Sequence, residues 1–207
     1  MSEWIDISQT LSNNIAHWPG DEPFNFTVPF TKEQTGSVNI GRITTSPHTG
    51  THVDAPFHFD NEGKTIEEIH IDTYIGAAKV IDVTDAEKVT AQLLEGYELS
   101  GVTRILLKTR KEIDEEQFPE DYMIVDEDVG PYLRSLGVQL LGTESPSVDH
   151  VFSKELSAHH ALGENEIHIL ENIILTHVEP GMYDLIALPL NIKGADGSPV
   201  RAVIRKR

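Results

Sequence analysis

The chain contains no cysteine. That excludes disulfides, thiolate metal sites and a cysteine nucleophile, so any metal centre must be built from nitrogen and oxygen ligands. Positive charge is scarce as well. Sixteen Lys and Arg stand against 34 Asp and Glu, giving a net charge of −18. Phosphate backbones and anionic membrane surfaces need a basic face, so neither nucleic acid nor a membrane is expected as a partner. The acidity reads as a device for solubility. No apolar run approaches the ~20 residues of a membrane span. The N-terminus carries Glu3 and Asp6 and lacks the basic-then-apolar pattern of an export signal, so a cytoplasmic location is expected. Internal repeats, low-complexity tracts and linkers are also missing. The 207 residues therefore read as one domain, 1–207, with one sizeable core.

Apolar segments in the chain are mostly short and strand-like. Residues 4–7, 24–31, 38–45, 79–83, 103–108, 138–143, 167–176, 183–190 and 199–205 read as strands. Helices are expected from an Asp85 cap to about Tyr97, over 126–136 with a stop at Gly137, and over 154–160 behind a Ser153 cap. Asp196-Gly197 reads as a turn, and the acidic run 111–121 as a solvated loop. This pattern points to an α+β or mixed barrel-like fold with a mixed sheet and a few helices.

The most informative run is S-P-H-T-G-T-H-V-D-A-P-F-H, residues 46–58. It holds His48, His52, Asp54 and His58, all of one parity, so on a strand they share a face. Pro47, Gly50 and Pro56 exclude a helix. A straight strand would spread these residues over roughly 13 Å, too far for His48 and His52 to share one ion. The chain must bend, and Gly50 permits it. Imidazole and carboxylate suit zinc and its first-row neighbours, and they also move protons near neutral pH. A lone His-x3-His pair means little; the Asp, the Gly and the third histidine, His58, make this run specific.

Elsewhere the reading leaves alternatives open. Trp18, in the turn His17-Trp18-Pro19-Gly20, is either packing or an aromatic wall for a substrate. Glu171 lies within an apolar strand, where a carboxylate is costly unless paired or metal-bound. It could face solvent, but Leu170 and Ile173 are apolar on opposite parities, which favours burial and a metal. His159 and His160 close a short helix, where one of them could answer the helix dipole. Residues 143–149 form either a pocket rim or an ordinary turn. His70, His150, His168 and His177 read as structural or exposed.

The segment H-T-G-T-H-V-D-A-P-F-H resembles the signature of the metal-dependent cyclase-type hydrolases. From W-I-D-I-S at 4–8 to S-P-V-R-A-V-I-R at 198–205, the whole chain resembles the bacterial kynurenine formamidase (arylformamidase) branch of that family. The resemblance implies a swivelling β/β/α fold, a homodimer or larger assembly, and two Zn2+ per subunit, with Mn2+ or another divalent ion an option. His48, His52 and Asp54 match ligands of one zinc. Asp54 also reaches the second, which His159 completes, and Glu171 is shared between them. His159 is preferred over His160 by its spacing to Glu171. His58 matches the catalytic acid/base and Trp18 the substrate contact, while 143–149 matches an acidic residue followed by P-S-x-D. The implied reaction is hydrolysis of N-formyl-L-kynurenine to L-kynurenine and formate in tryptophan degradation. Two alternatives remain: opening of a cyclic amide such as isatin, and a non-catalytic metal- or ligand-binding module.

Overall fold

The computed structural model describes residues 3–207. Its strands are β1 (Ile5–Asp6), β2 (Asn25–Phe30), β3 (Ile40–Thr44), β4 (His52–Asp54), β5 (Ile75–Asp82), β6 (Arg104–Lys108), β7 (Leu140–Thr143), β8 (His168–Glu171), β9 (Gly181–Ile186), β10 (Gly197–Pro199) and β11 (Val203–Lys206). Its helices are α1 (Lys32–Thr35), α2 (Ala91–Leu94), α3 (Val129–Leu136) and α4 (Ser157–Glu164). Nine strands form one curled mixed sheet in the order β1-β11-β9-β5-β6-β7-β8-β4-β10, while β2 and β3 pair apart as a hairpin. The architecture is thus α+β, with a half-barrel sheet and few helices. None of the described helices is long and apolar enough to cross a membrane.

Strands β5 to β8 run parallel, and parallel neighbours need crossovers, which here carry α2, α3 and α4. These strands bury both faces. Val80, Leu106, Leu140 and Leu170 pack on one side with Tyr74, Tyr183, Leu185 and Ile204. Ile81, Ile105, Leu107, Leu141 and Ile169 pack on the other, against Leu94 of α2, Leu133 of α3 and Leu162 of α4. This alternation over two apolar faces is why the segments read as unbroken apolar runs. Truncating such a side chain to Ala costs ~2–5 kcal/mol, so the sheet centre is a stiff platform for the loops at its ends.

Several boundaries differ from the sequence expectation, each for a local reason. The helix expected from Asp85 is only α2. Val89 bridges to Val125 and donates its N–H to the Ile124 carbonyl at 2.9 Å, which holds the chain before Thr90 out of the helix. Thr90 is the cap, accepting from Leu93 N at 3.1 Å. Because Asp126 N is bonded to the Val89 carbonyl at 2.8 Å, α3 starts later than expected, at Val129, but ends as expected at Gly137, with φ 79°. The strand expected over 167–176 stops at Glu171, where Asn172 turns the chain with φ 55°. Leu156, at φ 48°, breaks the expected helix over 154–160, so α4 begins at Ser157 and puts His159 and His160 in its first turn. Finally, Gly197 starts a strand beside β4 instead of completing a turn. A Cβ there would lie 2.9 Å from the His48 ring, so glycine lets β10 approach.

Candidate metal centre and catalytic cavity

Strand β4 lies between β8 and β10, with His52 opposite Glu171 and Asp54 opposite Gly197. The bend before it falls at Gly50, φ 67°. The Thr51 hydroxyl fastens the turn by donating to the Asn172 carbonyl at 2.5 Å. Helix α4 meets the end of this sheet from the other side. His52, Asp54, His159 and Glu171 are only 1%, 2%, 3% and 3% exposed, so four ionisable groups lie buried side by side.

Their ligand atoms converge. Asp54 Oδ1 lies 3.0 Å from His48 Nδ1 and 3.4 Å from His52 Nε2. His52 Nε2 is 3.3 Å from Glu171 Oε2, and His159 Nε2 is 3.7 Å from Asp54 Oδ2. Among the described residues three groups each bring one ligand atom per residue within 4.8 Å of one another: His48, His58 and Asp196; His48, His52 and Asp54; and Asp54, His159 and Glu171. Asp54 is common to the last two, which are the more deeply buried. Its Oδ2 is buried without a hydrogen-bond partner among the described residues. An unsatisfied buried carboxylate oxygen costs about 1–3 kcal/mol or more, and a cation bridging the two groups would satisfy it. All donors are imidazole or carboxylate, a set that fits first-row divalent ions.

Each imidazole has an outer partner that fixes which nitrogen faces inward. Nδ1 of His52 lies 2.8 Å from the Gly50 carbonyl, which can only accept, so Nδ1 carries the proton and Nε2 is free. His159 Nδ1 donates to Asp149 Oδ2 at 2.7 Å, again freeing Nε2. For His48 the roles reverse: Nε2 faces Asp196 Oδ2 at 3.1 Å, leaving Nδ1 toward Asp54. Outer partners of this kind orient and strengthen metal ligands. Asp149 has a second task, accepting Ala158 N at 3.1 Å and His159 N at 3.0 Å, so it also caps α4.

Without a cation, protons compensate the carboxylates. Burial pulls the His48 pKa down, but hydrogen bonds to Asp196 and Asp54 overcome it and raise it to about 9. His52 and His159 are raised to about 10 against the same burial, by Asp54 with Glu171 and by Asp149 with Asp54 respectively. Burial, then the neighbouring Asp54 charge, pushes the Glu171 carboxyl up. Asp54, despite burial, is held well below the usual carboxylate range by the adjacent imidazoles of His159, His48 and His52.

His58 stands beside this cluster, its ring centroid 4.0 Å from that of His48 and its Nδ1 3.7 Å from Asp196 Oδ2. Burial lowers its pKa, partly offset by Asp54, which leaves it neutral near pH 7. A cavity of about 270 Å³ opens over His48, His52, His58, His159 and Glu171. Trp18 lines it, its ring edge-to-face with Phe118 at 5.5 Å. His160 is exposed and its ring faces Phe59 instead of the cluster.

Three features escaped the sequence reading. Asp196, read as part of a turn, contacts both His48 and His58. Asp149, read as part of a rim or turn, anchors His159. The acidic run 111–121 is not a free solvated loop. Ala16 N donates to the Glu115 carbonyl at 2.8 Å and Thr10 N to Glu115 Oε2 at 2.6 Å, so the run folds over the cavity as a wall. Its alternation of acids with Ile113 and Phe118 was the available signal. His150, exposed, sits at the cavity edge, while His168 is structural, with its ring 6.2 Å from Tyr74.

Known proteins resemble this chain in sequence and in fold. The Cyclase family model matches residues 5–150. A kynurenine formamidase of Bacillus cereus is 53% identical over 204 residues, covering 99% of this chain and 98% of its own. That of Bacillus anthracis is 52% identical with the same coverage. Among solved structures, a protein from Bacillus stearothermophilus described as a predicted metal-dependent hydrolase superposes with TM-score 0.85 at 24% identity over both whole chains. Isatin hydrolase A from Labrenzia aggregata gives 0.84 at 21%, covering 99% of this chain and 93% of that one.

Proposed function

The chain belongs to the Cyclase family, and from that premise we propose that it hydrolyses N-formyl-L-kynurenine to L-kynurenine and formate, a step of tryptophan degradation. The carrying observation is the convergence of His48, His52, His159 and Glu171 around Asp54, whose Oδ2 is left unsatisfied, beneath an aromatic-lined cavity. Isatin opening has the weaker claim, because the isatin hydrolases share the fold at only 20–21% identity.

His48, His52 and Asp54 would hold one divalent cation, and Asp54, His159 and Glu171 a second. Both are proposed to be zinc, at sites that would also accept manganese. When bound, such ions supply Lewis acidity, polarising the formyl oxygen and bringing the pKa of water down to about 7. The remaining work belongs to the chain. Hydrolysis breaks the formyl C–N bond, joins the water oxygen to the formyl carbon and leaves a proton to be placed on the aryl nitrogen. His58, neutral and at the cavity surface, takes the proton and delivers it to that nitrogen as the amine departs. Groups in this role contribute ~10²–10⁴-fold. Asp196 holds the His58 ring in place. Trp18 and Phe118 offer the aryl ring an edge-to-face wall.

The chain is proposed to act as one domain in the cytoplasm and as a homodimer. Supporting the dimer, the β2–β3 hairpin shows solvent Phe26, Phe30, Val38, Ile40 and Ile43, each 46–61% exposed. Light scattering should give a dimer that Phe30→Asp weakens; an unchanged monomer in both would end that part. For the activity, purified protein is mixed with N-formylkynurenine and kynurenine absorbance is followed, with and without chelator. The absence of turnover after loading with zinc or manganese would overturn the assignment.

A further inference from the structure

We infer that the guanidinium of Arg110 binds the α-carboxylate of the substrate and so selects amino-acid aryl formamides over simple ones. This rests on the reaction proposed above. The cleavage itself needs no carboxylate on the substrate, and nothing in the metal cluster or around His58 binds one. Recognition must come from elsewhere in the cavity.

Arg110 lies just past the C-terminal end of β6. Glu171 ends β8 and Ser147 follows β7, so these side chains gather at the same edge of the parallel strands, where open sheets bind ligands. Arg110 lines the same cavity as His48, His58 and Glu171. Its backbone is fixed: Thr109 N and Arg110 N both donate to Glu144 Oε2 at 2.8 Å, and Leu175 N donates to Glu144 Oε1 at 2.6 Å. Glu144 is fully buried and accepts from three backbone amides.

The carboxylate next to Arg110 is therefore occupied, and the guanidinium is left over. Among the described residues its side chain makes no hydrogen bond or ion pair. It is nonetheless half-buried, and burial lowers its pKa against the pull of Glu144. A partly desolvated cation without a partner is costly unless an anion arrives. The planar fork of arginine matches a carboxylate in two parallel bonds. Further along the same wall, Asp114 and Glu115 also line the cavity. A cation followed by two acids complements the carboxylate and ammonium of a free amino acid. Lys154, the other long cation lining the cavity, is exposed in the turn before α4 and lacks this fixed backbone.

The test compares kcat/KM for N-formylkynurenine and for its decarboxylated analogue, which keeps the amine and the aryl formamide. Arg110→Met should lower the ratio of the two by about 10- to 100-fold, mainly through KM for the full substrate. Arg110→Lys should restore part of it. Metal content and thermal unfolding of each variant verify the fold. An unchanged ratio in Arg110→Met, or a loss produced by Lys154→Met instead, overturns the inference. So does wild-type protein that handles both substrates equally. Wild-type protein that turns over neither fails the proposed reaction itself, a separate outcome.

Discussion

Asp149→Asn is a sharp perturbation, because one carboxylate does two jobs with two oxygens. Oδ1 accepts Ala158 N, while Oδ2 accepts both His159 N and His159 Nδ1. Asparagine keeps one oxygen. With that oxygen toward His159, the amide nitrogen faces Ala158 N, donor against donor, and the Ala158 half of the α4 cap is lost. The opposite orientation keeps the Ala158 half but aims an NH2 at both His159 N and His159 Nδ1. The imidazole must then accept at Nδ1 and carry its proton on Nε2, the nitrogen that faces Asp54. Such a tautomer cannot ligate a cation. A lost cap costs about 1 kcal/mol, and loss of an outer partner typically costs 10–100-fold in metal affinity. Chelator competition on the purified variant should therefore show zinc bound about 10–100-fold more weakly. Urea melts of chelator-treated protein should show a drop of only ~1–2 kcal/mol. Metal affinity equal to wild type would refute the claim that Asp149 sets the His159 tautomer.

His58→Ala should retain its metal, measured by elemental analysis, and lose ~10²–10⁴-fold in kcat. Asp54→Ala, by contrast, should lose metal along with activity. Calorimetry of zinc binding near pH 7, in buffers of differing ionisation enthalpy, should show net proton release. The metal-free imidazoles of His52 and His159 hold protons up to about pH 10, and that of His48 up to about 9. Since their folded pKa values exceed the ordinary 6.5, their ion pairs stabilise the metal-free protein fully below that value. The contribution fades as pH rises above about 6.5 and is gone once pH passes 9–10, so chelated protein should melt at progressively lower temperature between those limits while metal affinity climbs.

How much of this was readable in the sequence depended on separation along the chain. The 46–58 run exposed its chemistry because parity, a bending glycine and three histidines fell close together. Glu171 was legible for a different reason: a carboxylate between Leu170 and Ile173 contradicts its surroundings. The sheet was legible as apolar segments, but helix and strand ends were not. Val89 and Asp126 are tied to each other across a long loop, and no local propensity encodes that tie. The same holds for the outer partners of the metal ligands. Asp196 reaches His48 only because β10 runs back against β4, and Asp149 reaches His159 only because Leu156 breaks the chain first. Between Asp196-Gly197 as a turn and as a strand entry, the sequence offered no choice; the crowding of Gly197 against the His48 ring decides it.

These outer partners also bear on what metal removal does. In proteins whose metal supplies the folding free energy, the ligands are disordered until the ion arrives. Here the ligands are held without it. His52 is tied to the Gly50 carbonyl, His159 to Asp149 and His48 to Asp196, and Glu171 Oε1 accepts Val148 N at 2.9 Å. Behind them lie two apolar clusters to which the ion contributes nothing. Among the described atoms of this cluster, Asp54 Oδ2 is the one left in deficit, a local cost of about 1–3 kcal/mol against a core built from many side chains worth roughly 1.5–3 kcal/mol each. The chelated protein should therefore keep its far-UV circular dichroism and a cooperative melt, lose turnover, and recover it on adding zinc or manganese. Collapse to an unfolded chain on chelation would mean that the imidazoles and carboxylates are assembled by the cation instead of waiting for it.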